Sequence, residues 1–352
     1  MADILIYTVG DRVHGMGHVV RCLALADALV SLGHTVMFAT QHETAGFDRI
    51  RRSSYRVVDY APDDLTWVMR STRYQACIVD VENGPDRIML NAARRFSKVV
   101  VIGGSGYVMK DREAIREIAD LFIAQTLLPN DADVTGAEYI VIDTKYARCT
   151  PNPGGHILIS MGGSDPHNMT AAVLDALTGT EDWALTIVNG PASESTAGFI
   201  ESETVRVIHA PDSLAPYLDG AALFIGALGM SAFEAAAAGV PAILTAWSAD
   251  HERTAQELER RGCAVSIGVW DNFNGDALRA SAKDILGSDI HWSEMSRAGK
   301  MLVDGKGAGR VAQFVARLVA GESVMVADTH AERVIHAEAT VRASRKGKRD
   351  KS

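Results

Sequence analysis

Short apolar runs alternate with stretches of helical periodicity along the first half of the chain. The first run, Ile4–Val9, is continuous, which is typical of a parallel strand covered on both faces. Apolar positions then recur at helical spacing over Val19–Leu32, and Gly33 stands where a helix C-cap is expected. The pattern predicts further strands at Thr35–Ala39, Tyr55–Val58, Ala76–Val79 and Val99–Ile102, and a helix around Arg87–Phe96. This alternation indicates βαβ units and a parallel sheet.

A stretch rich in proline and glycine, Tyr146–Gly155, predicts a linker before a second series of elements. The strands predicted after it are His156–Ser160, Leu185–Val188, Ala222–Ile225, Ala242–Thr245 and Ala264–Ile267. The helices predicted after it are Asn168–Leu177, Ser231–Ala238, Glu252–Arg261, Gly275–Leu286 and Ala308–Leu318. The sequence therefore predicts an α/β fold in which two doubly wound, Rossmann-like domains face each other across a cleft.

The predicted domains are residues 1–148 and 149–321, followed by a candidate C-terminal helix at 322–341 and a basic, disordered tail at 342–352. The net charge of −9 argues against a general nucleic-acid-binding surface, because phosphate contacts need clustered Lys and Arg. The four cysteines are far apart and include no Cys-x-x-Cys pair, which indicates free thiols. A signal-peptide pattern and a long apolar span are both missing, so we expect a cytoplasmic protein.

The first strand runs into a glycine-rich loop, Gly10–His18, at the start of a helix. A helix N-terminus disfavours the imidazolium cation, so His18 is a candidate general base. Gly15 and Gly17 would let a substrate approach the loop, and Arg21, one turn later, would bind an anion. The alternative is a capping or surface histidine beside a solvated arginine.

The second domain repeats this strand–glycine–helix arrangement twice. Gly162 and Gly163 free the backbone to contact phosphate oxygens, and Ser164 adds a hydroxyl. The alternative for this loop is a structural turn in which Asp165 caps the next helix and Pro166 occupies its first position.

The second repeat, Gly226–Glu234, also has two interpretations. In the structural interpretation, Ser231 and Glu234 form a capping box, because they have its spacing. In the functional one, Glu234 accepts hydrogen bonds from a ribose diol while the amides at Gly229–Ser231 hold a diphosphate. Farther along, Asp250–Ala255 contains polar groups for sugar hydroxyls, or else is only a helix start with acidic residues.

Four motifs occur in order: Gly15-x-Gly17-His18 with Arg21, Met161-Gly162-Gly163-Ser164-Asp165, Ser231-x-x-Glu234-Ala235, and Asp304-Gly305-x-Gly307-Ala308-x-Arg310. Together they resemble the family of the UDP-sugar hydrolase of pseudaminic acid biosynthesis. That family includes spore-coat polysaccharide glycosyltransferase-like proteins and is related more distantly to the peptidoglycan N-acetylglucosaminyltransferase. The resemblance spans most of the chain and implies a GT-B fold, a UDP-sugar donor bound in the cleft, and no required metal or other cofactor.

The resemblance also implies roles for individual residues. His18 would deprotonate water or an acceptor hydroxyl, with Arg21 and Asp80 in the same catalytic group, and Glu234 would bind the ribose. The uracil would meet the backbone near Ile208–Ala210. The remaining predicted nucleotide-sugar-binding residues are Gly17, Gly162, Gly163, Ser164, His209, Leu228, Gly229, Met230, Ser231, His251, Glu252 and Arg253.

One position departs from the hydrolase pattern. The hydrolase has Asp-His-Tyr where this chain has Asp80-Val81-Glu82, which favours transfer to an acceptor other than water. The leading hypothesis is therefore a glycosyltransferase, and the alternatives are a UDP-sugar hydrolase and a nucleotide-sugar-binding protein without catalysis. The acceptor stays open between a glycan, a small molecule, a lipid-linked sugar and, through the basic tail, nucleic acid.

Overall fold

The computed structural model describes residues 1–60, 73–103, 109, 111–165, 167–178, 183–191, 193, 202–322, 324–327 and 332–335. Two parallel sheets dominate it, and the predicted α/β fold with two Rossmann-like domains is confirmed. The first sheet contains β1 (Asp3–Thr8), β2 (Thr35–Gln41), β3 (Arg56–Tyr60), β4 (Ala76–Asp80), β5 (Lys98–Gly103), β6 (Leu121–Ala124) and β7 (Val134–Thr135). Its helices are α1 (Gly17–Ser31), α2 (Ala45–Arg52), α3 (Arg87–Arg94) and α4 (Arg112–Ile118).

The second sheet begins after the predicted linker. Its strands are β8 (His156–Ser160), β9 (Leu185–Asn189), β10 (Val205–His209), β11 (Ala221–Ala227), β12 (Ala242–Ala246) and β13 (Ala264–Val269). The helices that follow in the chain are α5 (Met169–Leu177), α6 (Ala215–Leu218), α7 (Met230–Ala238), α8 (Ala249–Arg260), α9 (Gly275–Leu286), α10 (Asp289–Leu302) and α11 (Gly307–Val319). The central strands of both sheets are fully buried and apolar, because helices cover both faces.

Both sheets have the strand order of doubly wound folds, with a topological switch point near the middle. The first sheet runs β3-β2-β1-β4-β5-β6-β7, so the switch point lies between β1 and β4. The second runs β10-β9-β8-β11-β12-β13, so its switch point lies between β8 and β11. Loops after these strands leave in opposite directions and open a crevice at the carboxyl end of each sheet.

The last long helix, α11, packs against α1 of the first domain, although it follows the second sheet in the chain. Its apolar stripe, including Val311 and Val315, is buried in the same core as α1. Gly307 lies so close to Ile140 that a Cβ atom would collide with the carbonyl oxygen of that residue. The predicted second domain, residues 149–321, included this helix, because periodicity reveals an apolar face but not the surface that covers it.

The segment beyond α11 also differs from expectation. Where a helix was predicted within 322–341, the described parts are two antiparallel strands, β14 (Val324–Ala327) and β15 (Glu332–Ile335). Both strands are rich in β-branched residues, which pack better on a pleated surface than along a helix. The basic tail at 342–352 lies outside the described residues.

Candidate functional site

A cavity of about 420 Å³ lies between the two domains, where the carboxyl ends of the two sheets face each other. Its walls come mainly from the loops after β1, β8 and β11, which are switch-point strands. The predicted site residues in its lining are Gly17, His18, Arg21, Gly162, Gly163, Ser164, Leu228, Gly229, Met230, Ser231, Glu234 and His251. The predicted residues outside its lining are Asp80, His209, Glu252 and Arg253.

Asp80 is fully buried at the end of β4 and binds two of the predicted catalytic residues. His18 Nδ1 lies 2.7 Å from Asp80 Oδ1, and Arg21 Nε donates to Oδ2 at 2.5 Å. A second Arg21 nitrogen, Nη2, donates to Oδ1, so the guanidinium binds the carboxylate in a fork. Cys22 Sγ completes the shell at 3.3 Å from Oδ2. The structure thus brings together three residues that are up to 62 positions apart in sequence.

These neighbours fix the protonation state of the carboxyl group. Burial by itself would raise the pKa of Asp80, but the charge of Arg21 and the hydrogen bonds from Arg21 and His18 hold that pKa well below its usual value. Nδ1 of His18 lies 2.7 Å from this ionised carboxylate, which only accepts hydrogen bonds, and 2.9 Å from Arg21 Nη2, which only donates. We assign the proton to Nδ1, because the contact with the carboxylate is the shorter one. That tautomer leaves Nε2 of His18 as the nitrogen able to accept a proton.

The two glycine loops of the second domain form the opposite wall. Gly163 lies directly beneath Met16 of the first domain, so a Cβ atom at position 163 would be 2.9 Å from the Met16 backbone nitrogen. Cβ atoms at Gly162 and Gly229, in contrast, would have no neighbour within 4 Å, which shows that both backbones border open space. Gly229 is the N-cap of α7, whose first amides lack intrahelical partners. This wall therefore offers backbone donors to an anion.

The structural interpretation of the Gly162–Asp165 loop is correct in part. Asp165 accepts hydrogen bonds from the first two amides of α5, those of Met169 at 2.8 Å and Thr170 at 3.0 Å. It does so from beyond the N-cap position, which Asn168 occupies in a left-handed conformation. Pro166 lies outside the described residues. Asp165 thus caps α5, while the anion-binding role of this loop stays a prediction.

The capping-box interpretation of Ser231 and Glu234 is wrong. Helix α7 begins at Met230 with Gly229 as its N-cap and no side-chain cap, so Glu234 lies two residues beyond the position from which a capping box reaches the N-cap. Instead, Glu234 is buried and hydrogen-bonds to Tyr146 from the interdomain linker. Burial raises the pKa of Glu234 to about 7, and the Tyr146 hydrogen bond opposes part of that rise.

The raised pKa of Glu234 predicts a specific dependence of stability on pH. The folded protein holds the Glu234 proton more tightly than the unfolded chain, so the stabilisation is fully present below pH 4.5 and is lost as the pH rises to about 7. The loss amounts to about 3 kcal/mol at 1.36 kcal/mol per pKa unit. Glu234→Gln should therefore flatten the fall of the unfolding free energy between pH 5 and 8, as measured by urea denaturation.

A matched control is Glu257→Gln, because Arg260 and Arg261 hold the pKa of Glu257 at about 2 rather than raising it. The Glu257→Gln variant should show the same fall of the unfolding free energy between pH 5 and 8 as the wild type. An equal pH dependence in wild type and Glu234→Gln would contradict the assignment of the proton to Glu234.

Within the predicted polar segment Asp250–Ala255, His251 is the one residue that lines the cavity. Its Nδ1 lies 3.3 Å from Ser248 Oγ, and burial lowers its pKa, which favours a neutral imidazole. Arg253 is exposed and pairs with Asp250, while Glu252 accepts a hydrogen bond from Gln256. His209 is exposed at the end of β10. The binding roles of Glu252, Arg253 and His209 stay predictions.

Sequence reasoning missed several lining residues: His14, Met16, Glu82, Tyr146, Asp212 and Trp247. The signal for His14 is its position in the first glycine loop, next to Gly15. The sequence indicates only a linker around Tyr146, and no local signal marks its contact with Glu234, 88 residues later.

The fourth motif of the resemblance, Asp304–Arg310, lies outside the cavity lining. Arg310 pairs with Asp304 at 2.5 Å and donates to the carbonyl oxygen of Glu138 at 2.9 Å. Through the Arg310–Glu138 hydrogen bond, this motif holds the start of α11 against the chain segment that leads out of the first domain.

Three further observations concern the described part of the chain. All four cysteines are buried and free, as predicted. Among the described residues, no group of three or more His, Cys, Asp or Glu side chains is placed to hold a metal ion. None of the described helices is long and apolar enough to cross a membrane.

Comparisons with known proteins place this architecture. No family model matches the chain. The spore coat polysaccharide biosynthesis protein SpsG of Bacillus subtilis is 22% identical over 326 residues, which cover 87% of this chain and 95% of SpsG. The resemblance to spore-coat proteins is thus supported by weak similarity, while the specific features of the pseudaminic acid hydrolase stay a prediction.

Solved structures agree on the fold. MurG of Acinetobacter baumannii superposes with a TM-score of 0.60 at 15% identity, over 90% of this chain and 100% of MurG. The spinosyn rhamnosyltransferase SpnG, solved with thymidine diphosphate, superposes with a TM-score of 0.63 at 14% identity, over 90% of this chain and 100% of SpnG. The chain therefore has a GT-B glycosyltransferase-like fold.

Proposed function

We propose that this protein is a nucleotide-sugar-dependent glycosyltransferase in which His18 is the general base. The observation that carries the proposal is His18, which is paired with the buried Asp80 and lines the same cavity as the amino-terminal end of α7. The pair supplies a base, and the helix end supplies donors for an anionic leaving group. Weak similarity to SpsG and the GT-B fold support the same reaction class.

In the proposed reaction, an acceptor hydroxyl loses its proton to Nε2 of His18 and attacks the anomeric carbon of the donor sugar. The new oxygen–carbon bond forms as the bond between the anomeric carbon and the diphosphate oxygen breaks. The backbone amides at Gly162–Gly163 and Gly229–Ser231 would receive the charge that develops on the departing nucleoside diphosphate. We propose that these amides do so without a metal, and that Glu234 binds the ribose.

Asp80 has a positioning role in this scheme. It holds Nδ1 of His18 and so keeps the imidazole in the tautomer that a base requires. Its own charge also stabilises the imidazolium that forms after proton transfer. Arg21 in turn keeps the carboxylate ionised and its charge balanced within the buried site.

The test begins with nucleotide binding and then separates transfer from hydrolysis. Thermal shifts with UDP, dTDP, GDP and CDP identify the nucleobase that the protein prefers, and we expect UDP to give the largest stabilisation. The matching nucleotide sugars are then incubated with and without a mixture of methyl glycosides as acceptors. Acceptor-dependent release of the diphosphate supports the proposal. Rapid release of free sugar without acceptor would show a hydrolase, and binding without turnover would show a binding protein.

A further inference from the structure

A second histidine–carboxylate group lines the same cavity as His18. His14 and Glu82 both line this cavity on the side of the first domain. Asp11 orders the loop that carries His14, because its carboxylate accepts the backbone amides of Val13 and His14 at 2.8 Å each. The loop therefore holds His14 in a defined place at the cavity wall.

The contacts of His14 set its hydrogen-bonding character. Its Nδ1 lies 2.8 Å from both oxygens of Asp11, so this nitrogen donates its proton to the carboxylate. The other ring nitrogen, Nε2, faces Glu82. Glu82 Oε2 lies 3.9 Å from that Nε2, which is too far for a direct hydrogen bond. The ring of His14 and the carboxylate of Glu82, which are 37% and 25% exposed, thus border one gap, and the carboxylate is an acceptor there.

The charge of the cavity wall also disfavours an anionic acceptor. Among the lining residues that the structure describes, Arg21 is the sole arginine or lysine, and its guanidinium is bound by Asp80. Carboxylates at Glu82 and Asp212 line the same cavity. A phosphate or carboxylate on the acceptor would meet these like charges without a counter-cation from these residues.

We propose that His14 and Glu82 form the acceptor subsite and bind a hydrogen-bond-donating group, either a hydroxyl or an amine, next to the reacting hydroxyl. This inference rests on the proposed function and narrows its acceptor to neutral or amine-bearing hydroxyl compounds. Phosphorylated and carboxylated acceptors are disfavoured. Asp11 acts as a positioning residue, because it reaches the acceptor only through His14.

The test measures binding of three probes by isothermal titration, each with and without saturating UDP. The probes are methyl β-glucoside, methyl β-glucosaminide and methyl β-glucuronide, which present a hydroxyl, an amine and a carboxylate. We expect the first or second probe to bind, and the glucuronide to bind at least about tenfold more weakly. A larger effect of Glu82 substitution on the glucosaminide than on the glucoside would identify the amine as the preferred group.

Glu82→Gln should weaken the binding of the donating probe about tenfold, the loss expected for a hydrogen bond to a charged group, while UDP affinity stays within twofold. His14→Phe provides a second variant. The matched controls are Glu43→Gln and His42→Asn, which alter an exposed His–Glu pair 3.5 Å apart that does not line the cavity.

Three results would overturn the acceptor subsite: equal binding of the glucuronide, unchanged probe affinity in both the Glu82 and His14 variants, or no binding of either donating probe. Failure of the wild-type protein to bind any of UDP, dTDP, GDP and CDP is a separate result, and it would contradict the proposed function. The two failures are distinguishable, because the affinity for the nucleoside diphosphate is measured in the same samples and is not expected to depend on Glu82.

Discussion

Replacing His18 with asparagine should lower kcat by about two to four orders of magnitude, the contribution that a positioned general base makes. Asparagine can preserve a hydrogen bond to Asp80 but cannot accept a proton at neutral pH. Because the proposed nucleotide contacts come from backbone amides of the second domain, UDP affinity should stay within about twofold. The measurements are the rate of nucleoside diphosphate release and the dissociation constant for UDP.

The control for this variant is His42→Asn. His42 also pairs with an aspartate, since its Nδ1 lies 2.6 Å from Asp59 Oδ2, but its side chain is 55% exposed and it does not line the cavity. We expect that variant to retain wild-type turnover. Turnover that survives in His18→Asn would show that another group takes the proton, and the proposed mechanism would then be wrong.

Replacing Asp80 with alanine should destabilise the protein by about 3–5 kcal/mol, the cost of leaving a buried partner charge uncompensated. The affected charge is the Arg21 guanidinium, which is 4% exposed and donates to both oxygens of Asp80. His18 also loses the acceptor that fixes its tautomer, so kcat should fall even at temperatures where the variant remains folded. Chemical denaturation gives the free energy of unfolding.

Asp59→Ala is the matched control, because it removes the carboxylate from a histidine–aspartate pair at the surface. Its cost should be within about 1 kcal/mol, as for other exposed pairs. Asp80→Asn keeps the shape of the side chain and should restore part of the stability but little of the activity. Equal losses of stability in the Asp80 and Asp59 alanine variants would contradict a structural role for the buried pair.

The stability contributed by Asp80 also has a defined pH window. Its folded pKa lies below the unfolded value of 3.8, so the contribution is fully present above that value and is lost as the pH falls through the folded pKa. This sign is opposite to that of Glu234, whose contribution disappears as the pH rises. The difference in stability between wild type and Asp80→Asn should therefore stay constant from pH 5 to 8.

Local features of the sequence were sufficient for the elements and for the loops that line the cavity. The continuous apolar run at Ile4–Val9 predicted the buried strand β1, because only a strand covered on both faces needs that pattern. Glycines directly after strands marked the loops at Gly15–Gly17, Gly162–Gly163 and Gly229, since a close backbone approach excludes side chains. His18 was identifiable because it follows Gly17 in such a loop, at the start of a helix.

The limits appear where a residue depends on a distant partner. Glu234 has the spacing of a capping box in the sequence, yet in the structure it contacts Tyr146, because α7 begins two residues earlier than the box requires. The stripe on α11 showed that one face is buried, but it did not show that α1 is the surface that covers it.

The sequence by itself determined the βαβ pattern, the two-domain α/β class and the glycine loops, since these follow from short-range periodicity and backbone sterics. Only the tertiary structure decided that β4 lies beside β1, so that Thr8 pairs with Asp80 and the carboxylate reaches His18 and Arg21. Strand order depends on how whole layers pack, and that information is spread over the chain rather than held near any one residue.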